Sequence, residues 1–158
     1  MNNKTRSSCR QAMKRGIHVV EVSDEEVKEC WKMNYLTFKR QGQLPRFSLD
    51  LYLSLYEILS KNHHVCAYLA KYNDETVASI SAILFKPTAY VWILGFNYKH
   101  RYFRPNHLLM WHLITELKKA GFESLDYGGN SIDRPTLGRY KSSWGTSAEN
   151  TYLCERFF

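Results

Sequence analysis

Tyr140 and Lys141 stand side by side in LGRYKSSWG, a short distance after the turn Asp126-Tyr127-Gly128-Gly129. A phenol can donate a proton, an ammonium can stabilise developing negative charge or hold a phosphate or carboxylate, and a carboxylate can serve as a general base. Tyr140, Lys141 and Asp126 are therefore the candidates for acid–base chemistry. Gly128-Gly129 lets the backbone turn sharply or approach a ligand closely. By residue type alone, Tyr140 reads equally well as an aromatic packed on a sheet, and Lys141 as a solvated surface lysine.

Positioning these groups requires a strand, a turn and a helix in close succession. Ser124–Tyr127 has the small-apolar alternation of a short strand, which places the site at its C-terminal end. Alternation also sends Asp126 and Tyr127 to opposite faces, so at most one of them faces a cleft. Asp133 or Thr136 is expected to cap a short helix with Pro135 in its first turn, carrying Arg139, Tyr140 and Lys141 and ending near Trp144-Gly145. Tyr127, Asn130 and Arg139 are the candidates for substrate binding. Upstream, Leu109, Leu113, Leu117 and Ala120, with Trp111 and Ile114 beside them, predict a helix from Pro105 to Ala120. Its N-terminus offers free N–H groups, Asn106 included, close in sequence to Lys99, Arg101 and Arg104, an arrangement suited to an anion. Pro105 supplies no N–H to it. Before that helix, AYVWILGFNY is almost continuously apolar and predicts a central strand buried on both faces. Gly95 is expected to mark a bulge or a close approach of backbone to ligand. A helical crossover between this strand and Ser124–Tyr127 makes the two parallel.

The rest of the chain supplies the frame. IHVVEV reads as a first strand, followed by Ser23-x-x-Glu26 as a capping box and a helix from about Asp24 to Arg40, stopped by Gly42 and Pro45. Ser48 is a plausible N-cap for a second helix with Leu51, Leu55, Ile58 and Leu59 as its apolar stripe. VCAYLAKY and TVASISAILF form a hairpin across NDE, Lys86-Pro87-Thr88 turns again, and SAENTYLCERFF from Ser147 predicts a last strand.

A length of 158 residues suits one domain, 17–158 here. The formal charge of +7 suggests a polyanion binder, but Lys4, Arg6, Arg10, Lys14 and Arg15 precede the first acid, Glu21, so the remainder carries only +2. Residues 1–16 read as a flexible basic arm, and the body is not a general nucleic-acid binder. No stretch approaches the ~18 apolar residues of a membrane span, and a cytoplasmic protein is expected. Cys9, Cys30, Cys66 and Cys154 are scattered, and neither His63-His64 nor His107 and His112 has ligand spacing, so no metal site is expected.

DYGGNS followed by LGRYKSSWG resembles the turn and the "glycine, aromatic, lysine, two residues, aromatic, glycine" segment of Fem-type aminoacyltransferase domains, members of the GNAT superfamily of N-acyltransferases. NYLTFKRQGQLPRFSLDLYLSL is similar to the link between their first two helices, and PNHLLMWHLITELKKAGFESLDYGG resembles their third helix and following strand. The order and spacing of the pieces carry the resemblance. It implies an α/β (α+β) GNAT-like fold: a mixed, mostly antiparallel sheet of six to seven strands, about four helices, and a splayed central strand pair. It implies acyl or aminoacyl transfer to a primary amine of a small molecule or peptide, with acyl-CoA or aminoacyl-tRNA as co-substrate, tRNA a partner in the second case, and no tightly bound cofactor. Lys141 occupies the motif lysine, and Tyr140 would protonate the leaving group. Gly95, Lys99, Arg101, Arg104, Asn106, Gly128 and Gly129 would hold the donor. One departure is that the superfamily's usual pyrophosphate loop is absent from Arg101–His107, a loss that Fem-type domains share. Those enzymes usually carry two such domains, whereas this length accommodates one. The rival expectation is a non-catalytic GNAT-like binding module, or half of a two-domain transferase.

Overall fold

Five strands, β1 (His18–Glu21), β2 (Val65–Tyr72), β3 (Glu75–Phe85), β4 (Thr88–Phe96) and β5 (Ser124–Asp126), form one sheet in sequence order in the computed structural model, which describes residues 1–129 and 135–149. β1 through β4 pair antiparallel and β5 joins β4 in parallel. The helices are α1 (Asn3–Lys14), α2 (Val27–Lys39, entered through a 3-10 turn at Asp24–Glu26), α3 (Leu49–Lys61), α4 (Pro105–Lys119) and α5 (Pro135–Ser142). The mixed α/β class and the parallel crossover agree with the sequence reading. The described sheet has five strands rather than six or seven, and most of the expected last strand lies outside the described residues.

Local chemistry explains most boundaries. Ser48 Oγ accepts from the Leu51 N–H at 3.2 Å, capping α3 as expected. Asn73 and Asp74, with φ of 47° and 62°, make a two-residue hairpin turn, the left-handed pair that matches strand twist. The capping box forms only in part: Ser23 gives no side-chain cap and instead donates from Oγ to Glu26 Oε2 at 3.3 Å, while Glu26 Oε1 accepts from Lys71 at 2.6 Å, the bond that chiefly holds its carboxyl below the usual range.

Two apolar layers cover the sheet. On one face α4 buries Leu108, Leu109, Leu113 and Leu117, each worth about 1.5–3 kcal/mol over exposure. Trp111 is exposed there, contrary to its expected place in the packed face. On the other face, α2 and α3 bury Val27, Cys30, Tyr52 and Tyr56 against Leu69 and Ile93. The α3 stripe is thus Tyr52 and Tyr56; Leu51 and Ile58, expected inside, are 47% and 59% exposed.

Three further expectations are corrected. The basic arm is helix α1, capped by Asn2 Oδ1 on the Thr5 N–H (2.8 Å) and packed on α4 through Thr5, Ser8, Cys9 and Ala12. That i, i+3, i+4, i+7 face is made of small residues, two of them hydroxylic, so no apolar periodicity announced it. The most enclosed strand is β3, flanked on both sides, whereas β4 has Tyr90 43% exposed. The β4 bulge falls at Trp92, because Ser81 pairs with Ile93 and Ala82 with Val91. Consecutive Trp92 and Ile93 therefore pack on the same α2–α3 layer.

Candidate active site

β5 pairs with β4 only through Thr88–Ser124, Ala89–Leu125 and Tyr90–Asp126. Beyond Tyr90 the two strands part, and the outer edge of Val91–Gly95 has no strand partner among the described residues. The opening is bounded on the β5 side by the Asp126–Gly129 turn.

That turn is tied by its own side chains. Asp126 Oδ1 accepts from the Gly128 N–H at 2.6 Å, and Gly128 has φ 72°, a conformation that glycine adopts without strain. From α5, Lys141 Nζ donates to the carbonyl oxygens of Gly128 (2.5 Å) and Gly129 (2.8 Å). Desolvation holds the lysine below its usual range, and the Asp126 charge partly offsets this. Asp126, Gly128, Gly129 and Lys141 thus come together, with Lys141 as a clamp rather than a solvated surface group.

Tyr140 lies in an aromatic cluster, its ring 5.3 Å from His107 and 6.3 Å from Trp144, and its hydroxyl reaches the Asn106 carbonyl oxygen at 3.4 Å. Burial raises its phenol well above the ordinary range, so it stays protonated. Tyr127 packs on the same layer with its phenol pushed up to about 12 by burial, while Asp126 is exposed, as strand alternation requires. One buried polar atom near Tyr140, Asn106 Oδ1, has no partner among the described residues, while the Trp144 indole interacts with the Tyr140 phenol. A buried polar group left unpaired costs about 1–3 kcal/mol, so such atoms mark places where a ligand can supply the bond.

Not every candidate converges here. Gly95 is buried between β4 and α2, where an added Cβ would lie 2.3 Å from Asn34 N and 2.5 Å from Met33 O; its missing side chain lets the helix backbone approach the strand. It is not at the bulge. Arg104, expected beside Lys99 and Arg101, donates to Ser8 Oγ of α1, and Cys9 Sγ lies 3.3 Å from the His107 carbonyl oxygen. Lys99 and Arg101 instead line a depression with Leu36, Lys39 and Arg40 at the end of α2. The three cations therefore do not meet at the N-terminus of α4. Arg139 is exposed on α5, and Asn130 and Asp133 lie outside the described residues.

Sequence reading passed over Thr37. Its Oγ1 accepts from the Phe96 N–H at 3.0 Å and lies 3.3 Å from the Phe96 carbonyl oxygen, closing the end of β4 onto α2. Thr37 lies in NYLTFKRQ, the segment similar to the link between the first two helices, and that similarity was the available signal. Among the described residues no three His, Cys, Asp or Glu side chains are placed to hold a metal ion, and no helix is long and apolar enough to cross a membrane.

A parted parallel pair, an antiparallel set of strands before it and a crossover helix between its members define an acyltransferase-type α/β fold. The chain matches the acetyltransferase (GNAT) domain family over residues 3–142 and belongs to it. No curated protein matches it. Among solved structures, FemX superposes with a TM-score of 0.82 at 16% identity, covering 92% of this chain and 54% of FemX. This chain spans about half the length of FemX. The aminoglycoside acetyltransferase meta-AAC0020 from an uncultured soil metagenomic sample, solved with sisomicin, has a TM-score of 0.70 at 13% identity, covering 92% of this chain and 99% of its own. The aminoglycoside 6'-N-acetyltransferase AAC(6')-Ih from Acinetobacter baumannii gives 0.70 at 12% identity, with 90% and 99% covered. At these identities the likeness is one of fold.

Proposed function

We propose that the protein is an N-acyltransferase moving an acyl or aminoacyl group from an activated donor, acyl-CoA or aminoacyl-tRNA, to a primary amine. The observation that carries this reading is the parting of β4 and β5 after Tyr90. Outward-facing N–H and C=O groups along Val91–Gly95, which have no strand partner among the described residues, can accept an extended, amide-bearing donor arm as a further strand would be accepted. The donor carbonyl then lies between that edge and the Asp126–Gly129 turn held by Lys141. The neutral amine nitrogen attacks this carbonyl and releases one proton to water, the bond to the thiol or ribose oxygen breaks, and the leaving group takes up a proton, which the surrounding water returns to its donor. Tyr140 is assigned as the donor of that proton on position: its bond to the Asn106 carbonyl is long enough to be exchanged easily, and burial keeps the phenol protonated until negative charge develops on the leaving group beside it. Asn106 Oδ1 offers an acceptor for an N–H of the donor. Gly95 and Arg104 have structural partners of their own and are left out of this assignment.

The test is binding followed by transfer. The purified 158-residue chain is heated with acetyl-CoA, with longer acyl-CoA and with aminoacyl-tRNA; the true donor, at 100 times its Kd, adds about 2.7 kcal/mol of stability. Acylated amine is then read by mass spectrometry from a panel of primary amines. Failure of every donor to stabilise the chain, with no acylated product, would establish the non-catalytic module instead.

A further inference from the structure

Helix α1 grips the end of α5 through a chain of hydroxyls that reaches Tyr140. Thr5, 2% exposed, donates from Oγ1 to Ser143 Oγ at 3.0 Å, and Ser143 Oγ donates to the Tyr140 carbonyl oxygen at 2.7 Å. That carbonyl has no backbone donor among the described residues, because the end of α5 tightens just past it. The Ser143 N–H goes to Arg139 O, but the Trp144 N–H goes to Lys141 O and the Gly145 N–H to Ser142 O, so the Tyr140 oxygen is skipped. Ser143 is also held from α1 by its backbone: its carbonyl oxygen accepts from the Asn2 N–H at 3.0 Å. A hydroxyl turned toward its own helix donates to the carbonyl four residues earlier, as Ser8, Thr37 and Thr115 do here. Thr5 donates across to another helix instead. The same face of α1 meets the far side of the tyrosine. Ser8 Oγ accepts from Arg104, which precedes α4, and Cys9 Sγ lies 3.3 Å from the carbonyl oxygen of His107, whose ring centroid is 5.3 Å from that of Tyr140. Helix α1 thus touches both of the elements between which the Tyr140 ring packs.

We propose that Thr5, acting through Ser143, is a positioning residue for Tyr140: the hydroxyl chain fixes the height and rotation of the last turn of α5, and with it the reach of the phenol toward the leaving group. The proposal rests on the transferase reading above, in which Tyr140 gives that proton. A helix of eight residues has little stability of its own and takes its place from what it touches. α5 is tied through Lys141 to the Gly128-Gly129 turn and through Ser143 to α1. Proton transfer needs heavy atoms about 2.6–3.2 Å apart, so a displacement of a fraction of an ångström at the phenol slows it. Loss of the chain therefore acts on turnover and leaves donor binding in place.

Thr5→Val removes the hydroxyl at nearly constant shape, and Ser143→Ala breaks the chain at its second link. The position of Tyr140 is read without any ligand from the ring resonances of isotope-labelled tyrosine in the 158-residue chain, assigned by Tyr140→Phe. Both variants are expected to shift the Tyr140 signal, and Thr5→Ser to leave it at the wild-type position. For turnover, acetyl-CoA, a longer acyl-CoA and an aminoacyl-tRNA are each supplied with the amine panel, and kcat and KM are taken with the donor that transfers. Thr5→Val is expected to lower kcat about three- to tenfold with the donor KM within about twofold, and Thr5→Ser to recover the wild-type rate. In a Tyr140→Phe background the same Thr5→Val change should cost nothing, since no phenol is left to aim. An unchanged kcat in both variants, an unmoved Tyr140 resonance in both, or an undiminished effect of Thr5→Val in the Tyr140→Phe background each overturns the proposal, the last by assigning the loss to general packing. Wild-type chain that acylates no amine from any donor, with the resonance still shifted by Thr5→Val, overturns the transferase reading and the positioning role with it, although the contact of α1 with Tyr140 stands.

Discussion

Replacing Lys141 by Met separates two ways in which a lysine can serve this site. The ammonium donates to two backbone carbonyls of the Gly128-Gly129 turn at 2.5 and 2.8 Å, and a charged hydrogen bond contributes about 1.5–3 kcal/mol when well shielded. Lys141 remains partly exposed, so water replaces much of what is lost, and the net cost to the turn is on the order of 1–2 kcal/mol. A turn that opens locally by that amount exposes the Gly128 and Gly129 amides roughly five to thirty times more often. The melting temperature should fall by less than about 4 °C, because the core layers on either face are untouched. Hydrogen exchange resolved at Gly128 and Gly129, together with kcat/KM for whichever donor the binding test selects, checks the claim. Faster exchange with reduced kcat/KM is expected. Since desolvation lowers the lysine's pKa, the alkaline limb of wild-type kcat/KM should begin below the ordinary lysine range and disappear in Lys141→Met. Unchanged exchange with reduced kcat/KM would refute the clamp and return Lys141 to direct charge stabilisation; unchanged values of both would remove it from the site.

Other perturbations follow from single contacts. Gly95→Ala places a Cβ 2.3–2.5 Å from the Met33–Asn34 backbone, so α2 must shift; a loss of roughly 2–4 kcal/mol and a fall of about 5–15 °C in Tm are expected, and a Tm within 2 °C of wild type by calorimetry would contradict the close approach. His107 titrates at about 4 instead of 6.5, first because burial penalises its charged form and second because Arg104 is near. Its folded-state pKa lies below the unfolded one, so stability holds above pH 6.5 and is lost as pH falls from 6.5 towards 4, by on the order of 2 kcal/mol after allowance for partial exposure. His107→Gln should flatten that part of a Tm-against-pH curve, and an unchanged slope would assign the loss to other groups.

The frame was legible where local chemistry and burial agree. Ser48 caps its helix, the Asn73-Asp74 turn joins its hairpin, and the Pro105 helix forces a parallel crossover, because each rests on a backbone requirement that few residues meet. It was not legible where burial selects between equivalent faces. On α3, Leu51 and Ile58 are as apolar as any stripe needs, yet Tyr52 and Tyr56 fill the layer under β2 and Trp92, their tilted rings with centroids 6.1 Å apart and 4.9 Å from Tyr52 to Trp92. Hydropathy cannot distinguish a leucine stripe from a tyrosine stripe one residue along. Helix α1 was hidden for the converse reason: a face of Thr5, Ser8, Cys9 and Ala12 packs well only against a helix whose position is known.

The same limit governs the site. Asp126, Gly128, Gly129 and Lys141 were read together from a motif, and they do meet, because the turn and the helix that carry them are short and leave few alternatives. Lys99, Arg101 and Arg104 were read together from proximity alone, and they do not. Arg104 has φ 57°, a left-handed residue between a 3-10 turn and α4, so the chain changes direction between Arg101 and Arg104. Arg101 is left stacked on Tyr98 beside Arg40, sixty-one positions earlier, and Arg104 is sent to Ser8 on the opposite layer. Closeness in sequence thus predicts a shared site where side chain and backbone bond one another across the turn, as Asp126 and Lys141 do at Gly128, and not where the turn sends each side chain to a different layer, as it does Arg101 and Arg104. Pairs such as Arg40 with Arg101 can be found only from the folded chain.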